Sequence, residues 1–316
     1  MAYTTIDDPS AYFHTQLYTG TGSELSVTNG ANAGDFKPDW IWIKQRNAAT
    51  DHGMFDSSRG VTKNLKTNAS DAESTEAQSV KTFNTDGFTL GTSGDYNGSS
   101  DTHVAWQWKA NGGTATATAS ESGDNPAYSV QANTDAGFSI VTYTGTGADT
   151  STVAHGLGAV PKTIIIKRRD AGNNWIVQHA NLSSATKILG LNTSDAEGDA
   201  SNVFDDTAPT SSVFTLGFSA AVNADGSPFI AYCFTPIKGY SSFGKLTGNG
   251  LADGPYVHTG FKPAWVMIKE TGATGSWHIF DNTRKVGNVS DSILYADLNN
   301  AEATSQTGNP IDILSN

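Results

Sequence analysis

The sequence predicts an all-β protein made of three tandem β-sandwich repeats, the third of them incomplete. Two observations predict the all-β fold class. The 33 glycines and 10 prolines among 316 residues are too many for a protein of long helices, and short apolar runs alternate with turn residues, as in sandwiches and barrels. A third observation predicts the repeats: one pattern of turns and strands occurs three times.

Each repeat begins with a glycine turn that leads to a strand. Tyr-Thr-Gly-Thr-Gly at 18–22 recurs at 143–147, and 246–250 reads Leu-Thr-Gly-Asn-Gly. A proline and an apolar run that ends in lysine follow at 38–44, 161–167 and 263–269. A short polar turn then leads to a second apolar run at 52–56, 175–179 and 277–281. Each pair of runs predicts a β-hairpin.

The later part of the pattern is complete only in the first two repeats. An Asp-Ala-Glu turn stands at 71–73 and 195–197, and Asn-Ala-Glu at 300–302. A Phe-Thr-Leu-Gly strand at 88–91 matches 214–217, and the closing strand at 104–109 matches 230–234. The third copy lacks both of these strands. We expect either that the sequence stops early or that another chain completes the third sheet, and we favour the first.

We expect five segments along the chain. The predicted N-terminal attachment arm is 1–15, and the three repeats are 16–109, 137–236 and 237–316. Residues 110–136 are rich in Gly, Thr, Ala and Ser, which predicts an extended linker that buries little. The second junction is short, so we expect the last two repeats to be held more rigidly to each other than to the first.

Composition excludes several partners. The net charge of −12 opposes the neutralisation of phosphates, so we expect neither nucleic acid nor an anionic membrane as a partner. No run approaches the roughly 18 apolar residues of a membrane span, and the N-terminus has no basic or apolar signal region, so we expect no membrane insertion and no export signal. The single cysteine, Cys233, lies in an apolar run that predicts a buried, inert thiol.

Several of these motifs resemble a known family. The sequences at 36–44, 55–60, 87–91 and 104–109 are similar to a repeated domain of uncharacterised function in tail-fibre-like virion proteins of marine bacteriophages. The segments 3–12 and 153–158 with Pro161 also look like that group. The resemblance implies a virion component with a jelly-roll or concanavalin-like sandwich in each repeat, and it covers nearly the whole chain.

The candidate chemical groups point to structure rather than catalysis, and we expect no enzyme. His155 lies between two strands, where a turn-capping histidine is expected. Asp56 with Arg59 and Asp281 with Arg284 could form an acid pair with a substrate clamp, but the second repeat has His179 and Leu182 at these positions. Because the group varies among copies of one scaffold, local salt bridges are the favoured interpretation. We therefore predict no catalytic residue.

We also predict no bound metal and no cofactor. Ca²⁺ needs several oxygen ligands on one loop, and no EF-hand-like spacing of aspartates is present in the sequence. The seven histidines are scattered and lack the spacing of a zinc site. The Asp-Ala-Glu turns read as exposed, with the glutamate solvated.

Carbohydrate binding is the sharper ligand hypothesis. Sandwich lectins use exposed aromatic faces, and the chain has 7 tryptophans and 10 tyrosines. Trp40 and Trp42, however, share one face of a predicted strand, as do Trp106 and Trp108, which favours core or inter-domain packing. Trp175, Trp265 and Trp277 repeat equivalent positions and are expected to be scaffold residues. The ligand residues stay unknown; we expect any site on the non-repeated loops 93–101 or 220–227.

The favoured function is that of a phage virion structural protein, a fibre or appendage component that presents loops for host-surface attachment. The alternative is a capsid decoration protein or head fibre, and a polysaccharide-binding or polysaccharide-cleaving protein is less favoured. Expected partners are other virion proteins, further copies in a homotrimer and a host-surface glycan. We expect the protein to be made in the host cytoplasm and to reside on the virion surface.

Overall fold

The computed structural model describes residues 4–30, 36–251, 253–306 and 310–314. It confirms the all-β prediction: antiparallel sheets dominate, and the helices are single turns. We divide the chain into three units by their sheets. Unit 1 contains β1 (Phe13–Thr19), β2 (Leu25–Val27), β3 (Trp40–Gln45), β4 (Gly53–Asp56), β5 (Gly60–Leu65), β6 (Ser74–Thr75), β7 (Val80–Phe83), β8 (Phe88–Leu90) and β9 (Thr102–Trp108), with a 3₁₀ turn at Pro9–Ala11 and α1 at Gly94–Asn97.

Unit 2 contains β10 (Ala117–Ala119), β11 (Tyr128–Asn133), β12 (Phe138–Thr144), β13 (Ser151–Ala154), β14 (Thr163–Arg168), β15 (Ile176–His179), β16 (Lys187–Gly190), β17 (Gly198–Asp199), β18 (Val213–Leu216) and β19 (Pro228–Phe234), with α2 at Ser201–Phe204 and α3 at Ala220–Asn223. Unit 3 contains β20 (Trp265–Ile268), β21 (His278–Asp281) and β22 (Leu294–Tyr295).

Units 1 and 2 are sandwiches of a large and a small sheet. In unit 1 the large sheet has the order β1-β9-β3-β4-β5-β6, and the small sheet has the order β2-β8-β7. Alternate residues of β3, Ile41 and Ile43, pack with Phe88 and Leu90 of the small sheet. In unit 2 the large sheet has the order β10-β11-β12-β19-β14-β15-β16-β17, and β13 and β18 form the small sheet. The described part of unit 3 contains one sheet, with the order β20-β21-β22.

The opening glycine motif forms the same turn in every copy. Gly22, Gly147 and Gly250 all have φ of +70°, a conformation in which glycine has no Cβ penalty. In the first copy, a Cβ on Gly20 would lie 2.1 Å from the carbonyl oxygen of Gly98. The positive φ therefore favours glycine in all three copies, and in the first two the backbone beside Gly20 and Gly145 also leaves no space for a side chain.

The loops 93–101 and 220–227 are repeated features, contrary to the prediction. Each contains a helical turn with a buried asparagine, Asn97 in α1 and Asn223 in α3. The amide nitrogen of Asn97 donates to the Gly91 carbonyl, and that of Asn223 donates to the Gly217 carbonyl. The side-chain oxygen of each asparagine accepts from the backbone of the opening turn. These loops lock the turn in place.

Replacing Asn97 with alanine is expected to destabilise the protein by about 2 kcal/mol, because buried backbone groups lose their partners. The Thr21 amide and the Gly91 carbonyl are two of these groups. Urea unfolding of the Asn97→Ala and Asn223→Ala variants measures the cost. A serine substitution at exposed Asn111 is the control and should change stability by less than about 0.5 kcal/mol. Equal stability of the control and the Asn97→Ala variant would contradict this role.

Two predicted segment boundaries are wrong. The attachment arm 1–15 extends too far, because Phe13–Thr15 already belong to β1, which pairs with β9. The extended linker 110–136 is largely part of unit 2, since β10 and β11 are its outer strands. Residues 110–113 are also fixed: Asp39 accepts from the amides of Ala110 and Gly112, and Gln131 accepts from the amides of Asn111 and Gly113. The composition of the segment could not predict these hydrogen bonds, because they connect its backbone amides to side chains distant in the sequence.

A shared aromatic core joins the three units. The faces of the large sheets that point away from the small sheets pack on one another and on the sheet of unit 3. Trp40, Trp42 and Trp106 are at most 1% exposed, which confirms that they are packing residues. Trp40 stacks on Tyr232 of unit 2, with ring centroids 4.5 Å apart. The scaffold residues Trp175 and Trp277 belong to the same cluster, and Trp265 is partly buried and packs against it.

Equivalent hydrogen bonds run around the three units as a closed ring. The residue immediately before the second strand of each hairpin donates a side-chain hydrogen bond to a backbone carbonyl of another unit. The donors and acceptors are Trp175 Nε1 to Lys66 O at 2.8 Å, Trp277 Nε1 to Gly190 O at 2.8 Å, and His52 Nε2 to Tyr295 O at 2.9 Å. Unit 1 therefore contacts both other units, as units 2 and 3 contact each other.

Candidate functional site

A buried polar group, which we name cluster A, joins unit 1 to unit 2 and consists of Asp56, Arg59, Glu73, Arg169 and Tyr232. Asp56 Oδ2 accepts hydrogen bonds from Arg59 Nε and from the Tyr232 hydroxyl, the latter at 2.7 Å. Glu73 accepts from Arg59 Nη1 at 3.0 Å and from Arg169 Nε at 2.9 Å. The side chains of Asp56 and Arg59 have no exposed surface. The predicted local salt bridge is confirmed, and it extends into a contact between units.

Cluster B joins unit 3 to unit 1 in the same way and consists of Asp281, Arg284, Glu302, Arg46 and Trp106. Asp281 Oδ2 accepts from Arg284 Nε and from Trp106 Nε1, the latter at 3.0 Å. Glu302 accepts from Arg284 Nη1 at 2.7 Å and lies 2.8 Å from Arg46 Nη2. The Arg284 guanidinium also lies 5.6 Å from the centre of the Trp106 ring. The aromatic residue comes from β9 here and from β19 in cluster A.

The electrostatics of cluster A keep Arg59 and Glu73 charged. Burial alone lowers the pKa of Arg59, but the negative charges of Asp56 and Glu73 raise it overall. Burial alone raises the pKa of Glu73, whereas hydrogen bonds from Arg169 and the charge of Arg59 lower it overall. A buried, fully hydrogen-bonded ion pair fixes geometry and has no free lone pair to offer a substrate. The arrangement supports a structural role.

The prediction that the glutamates of the two Asp-Ala-Glu turns and the Asn-Ala-Glu turn are solvated is wrong for two of the three. The side chains of Glu73 and Glu302 are 11% and 6% exposed, and each pairs with two arginines. The prediction also missed Tyr232 and Trp106 as hydrogen-bond donors across units. The recurrence of an aspartate, an arginine and a glutamate in repeats one and three was the available signal, and only the tertiary structure shows the partner unit.

His52 takes the place that tryptophan holds in the other units. Its Nδ1 accepts from Trp42 Nε1 at 2.8 Å, so the neutral ring carries its proton on Nε2, which faces the Tyr295 carbonyl. Burial, followed by the charge of Lys44, lowers the pKa of His52 to about 3. A neutral histidine with one acceptor and one donor nitrogen is therefore held between units 1 and 3.

Equivalent lysines next to the ends of β3 and β14 are buried, and no carboxylate of the described residues lies in hydrogen-bond contact with them. Lys44 and Lys167 have no exposed surface, and each Nζ donates to the carbonyl of the next residue, at 2.6 and 2.7 Å. Burial lowers the pKa of each to about 8. Lys269, the third copy, donates to the Glu270 carbonyl and to the Ser194 carbonyl of unit 2.

The protein is expected to become more stable as pH rises from 7 to 9. A lysine in the unfolded chain keeps its proton up to its ordinary pKa of 10.5, whereas folded Lys44 and Lys167 release theirs near pH 8. The unfolded state thus binds more protons in this window, and stability rises with pH by about 1 kcal/mol per lysine. Urea unfolding at both pH values measures the change.

The Lys44→Met variant is the control for this pH dependence. It removes one of the two titrating lysines, so its gain in stability between pH 7 and 9 should be about half that of the unmodified protein. An unchanged slope in this variant would show that Lys44 is charged throughout the window and would contradict the shifted pKa.

The remaining candidates also have structural partners. His155 is buried, and its Nδ1 accepts from the Leu157 amide at 3.2 Å, which confirms the predicted turn cap. Cys233 is buried, as predicted, and burial raises the pKa of its thiol to about 12. A thiol that holds its proton to this pH is a weak nucleophile.

The described residues bear on three further features: a metal site, a membrane-spanning helix and a groove. Within 4–30, 36–251, 253–306 and 310–314, no three His, Cys, Asp or Glu side chains are grouped so as to hold a metal ion. The same residues include no helix of the length and apolar character that a membrane crossing requires. An open groove of about 290 Å³ lies beside β11 and β12, with Tyr128, Thr142 and Arg169 among its lining residues.

Comparison with known protein families matches residues 8–316 to a family described as a domain of unknown function (DUF7483). Comparisons with curated proteins and with solved structures give no match. The matched region includes every strand of the three units as well as clusters A and B. Since the match extends over nearly the whole chain, the protein belongs to the DUF7483 family.

Proposed function

We propose that this protein is a non-enzymatic structural component of a phage virion, part of a fibre or appendage that presents loops for host-surface attachment. The observation that carries the proposal is the use of charged and aromatic groups to join the units. The buried ion pairs Asp56–Arg59 and Asp281–Arg284 each take a hydrogen bond from another unit. Such bonds hold the units in a fixed arrangement, which suits a structural component of a particle.

The repeated architecture and the acidic surface support the same proposal. Similar modules in tandem add length and repeated binding surfaces without new chemistry. The proposal places the protein on the virion surface as a homotrimer, in contact with other virion proteins and with a host-surface glycan. The net charge of −12 disfavours nucleic acid as a partner.

Immuno-electron microscopy of virions tests this proposal. An antibody against the protein is applied to purified particles from cells that express the gene, and particles produced without the gene are the control. Label on a tail or another appendage supports the proposal. Label on the head shell would favour a capsid decoration protein instead. Protein found only outside the particles, or glycan depolymerisation by the purified chain, would overturn the structural role.

A further inference from the structure

The groove beside β11 and β12 lies on the face of the large sheet of unit 2 that points toward the other units. Neighbouring residues of a strand point to opposite faces of a sheet. Ile140 of β12 belongs to the shared aromatic core, whereas Val141 packs between the two sheets of unit 2. Thr142 and Thr144 follow Ile140 in this alternation and line the groove, as does Pro228, which pairs with Thr144. The groove floor therefore continues the core face beyond the buried core.

The hydroxyls on this floor have no hydrogen-bond partner among the described residues. They belong to Ser129, Thr142 and Thr144. Ser129 of β11 stands directly opposite Thr142 of β12, so these two side chains lie next to each other on one face. Because a hydroxyl both donates and accepts hydrogen bonds, this row suits a ligand that itself carries several hydroxyls.

Arg169 is the charged residue of the groove lining. Its Nε and Nη2 donate to Glu73 of unit 1 at 2.9 and 3.0 Å, so the guanidinium is held in place before a ligand arrives. The side chain is 21% exposed, and its Nη1 has no hydrogen-bond partner within the described chain. Since a guanidinium has five N–H donors, one N–H of Nη1 and one of Nη2 remain side by side. This pair matches the two oxygens of a carboxylate.

Unit 1 shows that the repeat itself does not require the groups on the groove floor. The residue before the tyrosine of the opening turn is Thr142 in unit 2 and Leu17 in unit 1, and Leu17 packs against the shared aromatic core. In the described part of unit 1, β1 is the outer strand, so no strand corresponds to β11 and its Ser129. Unit 2 thus has a hydroxyl without an internal partner in place of an apolar contact. Such departures from a shared scaffold are expected at functional sites.

We propose that this groove binds a saccharide that carries a carboxylate, namely a hexuronate unit of a glycan. The carboxylate binds Arg169, and the sugar hydroxyls form hydrogen bonds with Ser129, Thr142 and Thr144. The volume of about 290 Å³ is near the lower end of the range for ligand clefts, which fits a short saccharide. This inference rests on the proposed attachment function for the source of the glycan, which is the host surface.

Isothermal titration calorimetry with the full chain tests this site. The probes are disaccharides of galacturonate, glucuronate and mannuronate, and disaccharides of the corresponding neutral sugars are the ligand controls. The Arg169→Gln variant removes the guanidinium. Arg46→Gln is its matched control, because Arg46 pairs with Glu302, is 22% exposed and is not a lining residue of the groove. Thr142→Val removes one hydroxyl and keeps the shape of the side chain.

At least one uronate disaccharide should bind the unmodified protein, and its neutral counterpart should bind about tenfold more weakly or worse. Arg169→Gln should weaken uronate binding by about tenfold or more, and Thr142→Val by about threefold or more. Arg46→Gln should leave the affinity unchanged. Equal affinity for acidic and neutral disaccharides, or an equal loss in both arginine variants, would overturn the proposal. Absence of binding by all three uronate disaccharides would also overturn it.

The binding result and the location of the protein are separate outcomes. Antibody label on a virion appendage without uronate binding would overturn the proposed site and leave the structural role in place. Uronate binding by a protein that is found only outside the particles would support the site and overturn the structural role.

Discussion

Replacing Trp106 with alanine is expected to destabilise the protein by about 4 kcal/mol or more, as measured by urea unfolding. The side chain is fully buried in the shared core, where a tryptophan-to-alanine change costs about 3 to 5 kcal/mol. The change also removes the hydrogen bond to Asp281 and the contact with Arg284 in cluster B. A residue of unit 1 thereby contributes to the stability of unit 3.

Two controls separate the causes of this loss. Trp106→Phe keeps an aromatic ring but removes the N–H donor, so it should cost about 1 to 3 kcal/mol. Val61→Ala changes an exposed residue and should shift stability by less than about 0.5 kcal/mol. A Trp106→Ala variant within about 1 kcal/mol of the unmodified protein would show that this residue does not join the units.

Replacing Asp56 with alanine is expected to cost about 3 to 5 kcal/mol of stability. The substitution leaves the Arg59 charge buried with Glu73 as its remaining carboxylate partner and deprives the Tyr232 hydroxyl of its acceptor. Because the tyrosine belongs to unit 2, the loss tests a contact between units. Thermal or urea unfolding measures it, and Asp281→Ala is the matched substitution in cluster B.

A double-mutant cycle isolates the bond between units. Tyr232→Phe alone should cost about 1 to 3 kcal/mol, because a bond to a charged group is lost. With Asp56→Ala already present, the same change should cost less by about 0.5 to 3 kcal/mol. Strictly additive costs would mean that the hydroxyl does not interact with Asp56, and cluster A would then be local to unit 1.

The sequence predicted most of the local structure because that structure depends on neighbouring residues. The recurring glycines at 22, 147 and 250 indicated a shared turn, and all three adopt the same positive φ. Alternation in the segment around Trp40 and Trp42 indicated one packed face of a strand, and both residues are buried in the core. Hydrophobic periodicity and turn residues act over a few neighbouring residues, so they can be identified in a single sequence.

The contacts between units could not be predicted in the same way. Glu73 and Glu302 read as solvated turn residues, because nothing nearby in the chain shows that arginines of another unit lie beside them. The segment 110–136 read as a linker because its residues are polar and small. The side chain of Gln131, however, binds the backbone amides of Asn111 and Gly113, and β11 pairs with β12. Composition does not specify the distant side chain that satisfies a buried amide.

Differential scanning calorimetry tests the central claim, that the ring of contacts makes the three units one cooperative body, most directly. The ratio of the calorimetric enthalpy to the van't Hoff enthalpy counts the parts that unfold independently. The contacts of Trp175, Trp277 and His52 across units predict one transition with a ratio near one. Separate transitions, or a ratio near three, would mean that the units unfold independently and would contradict the claim.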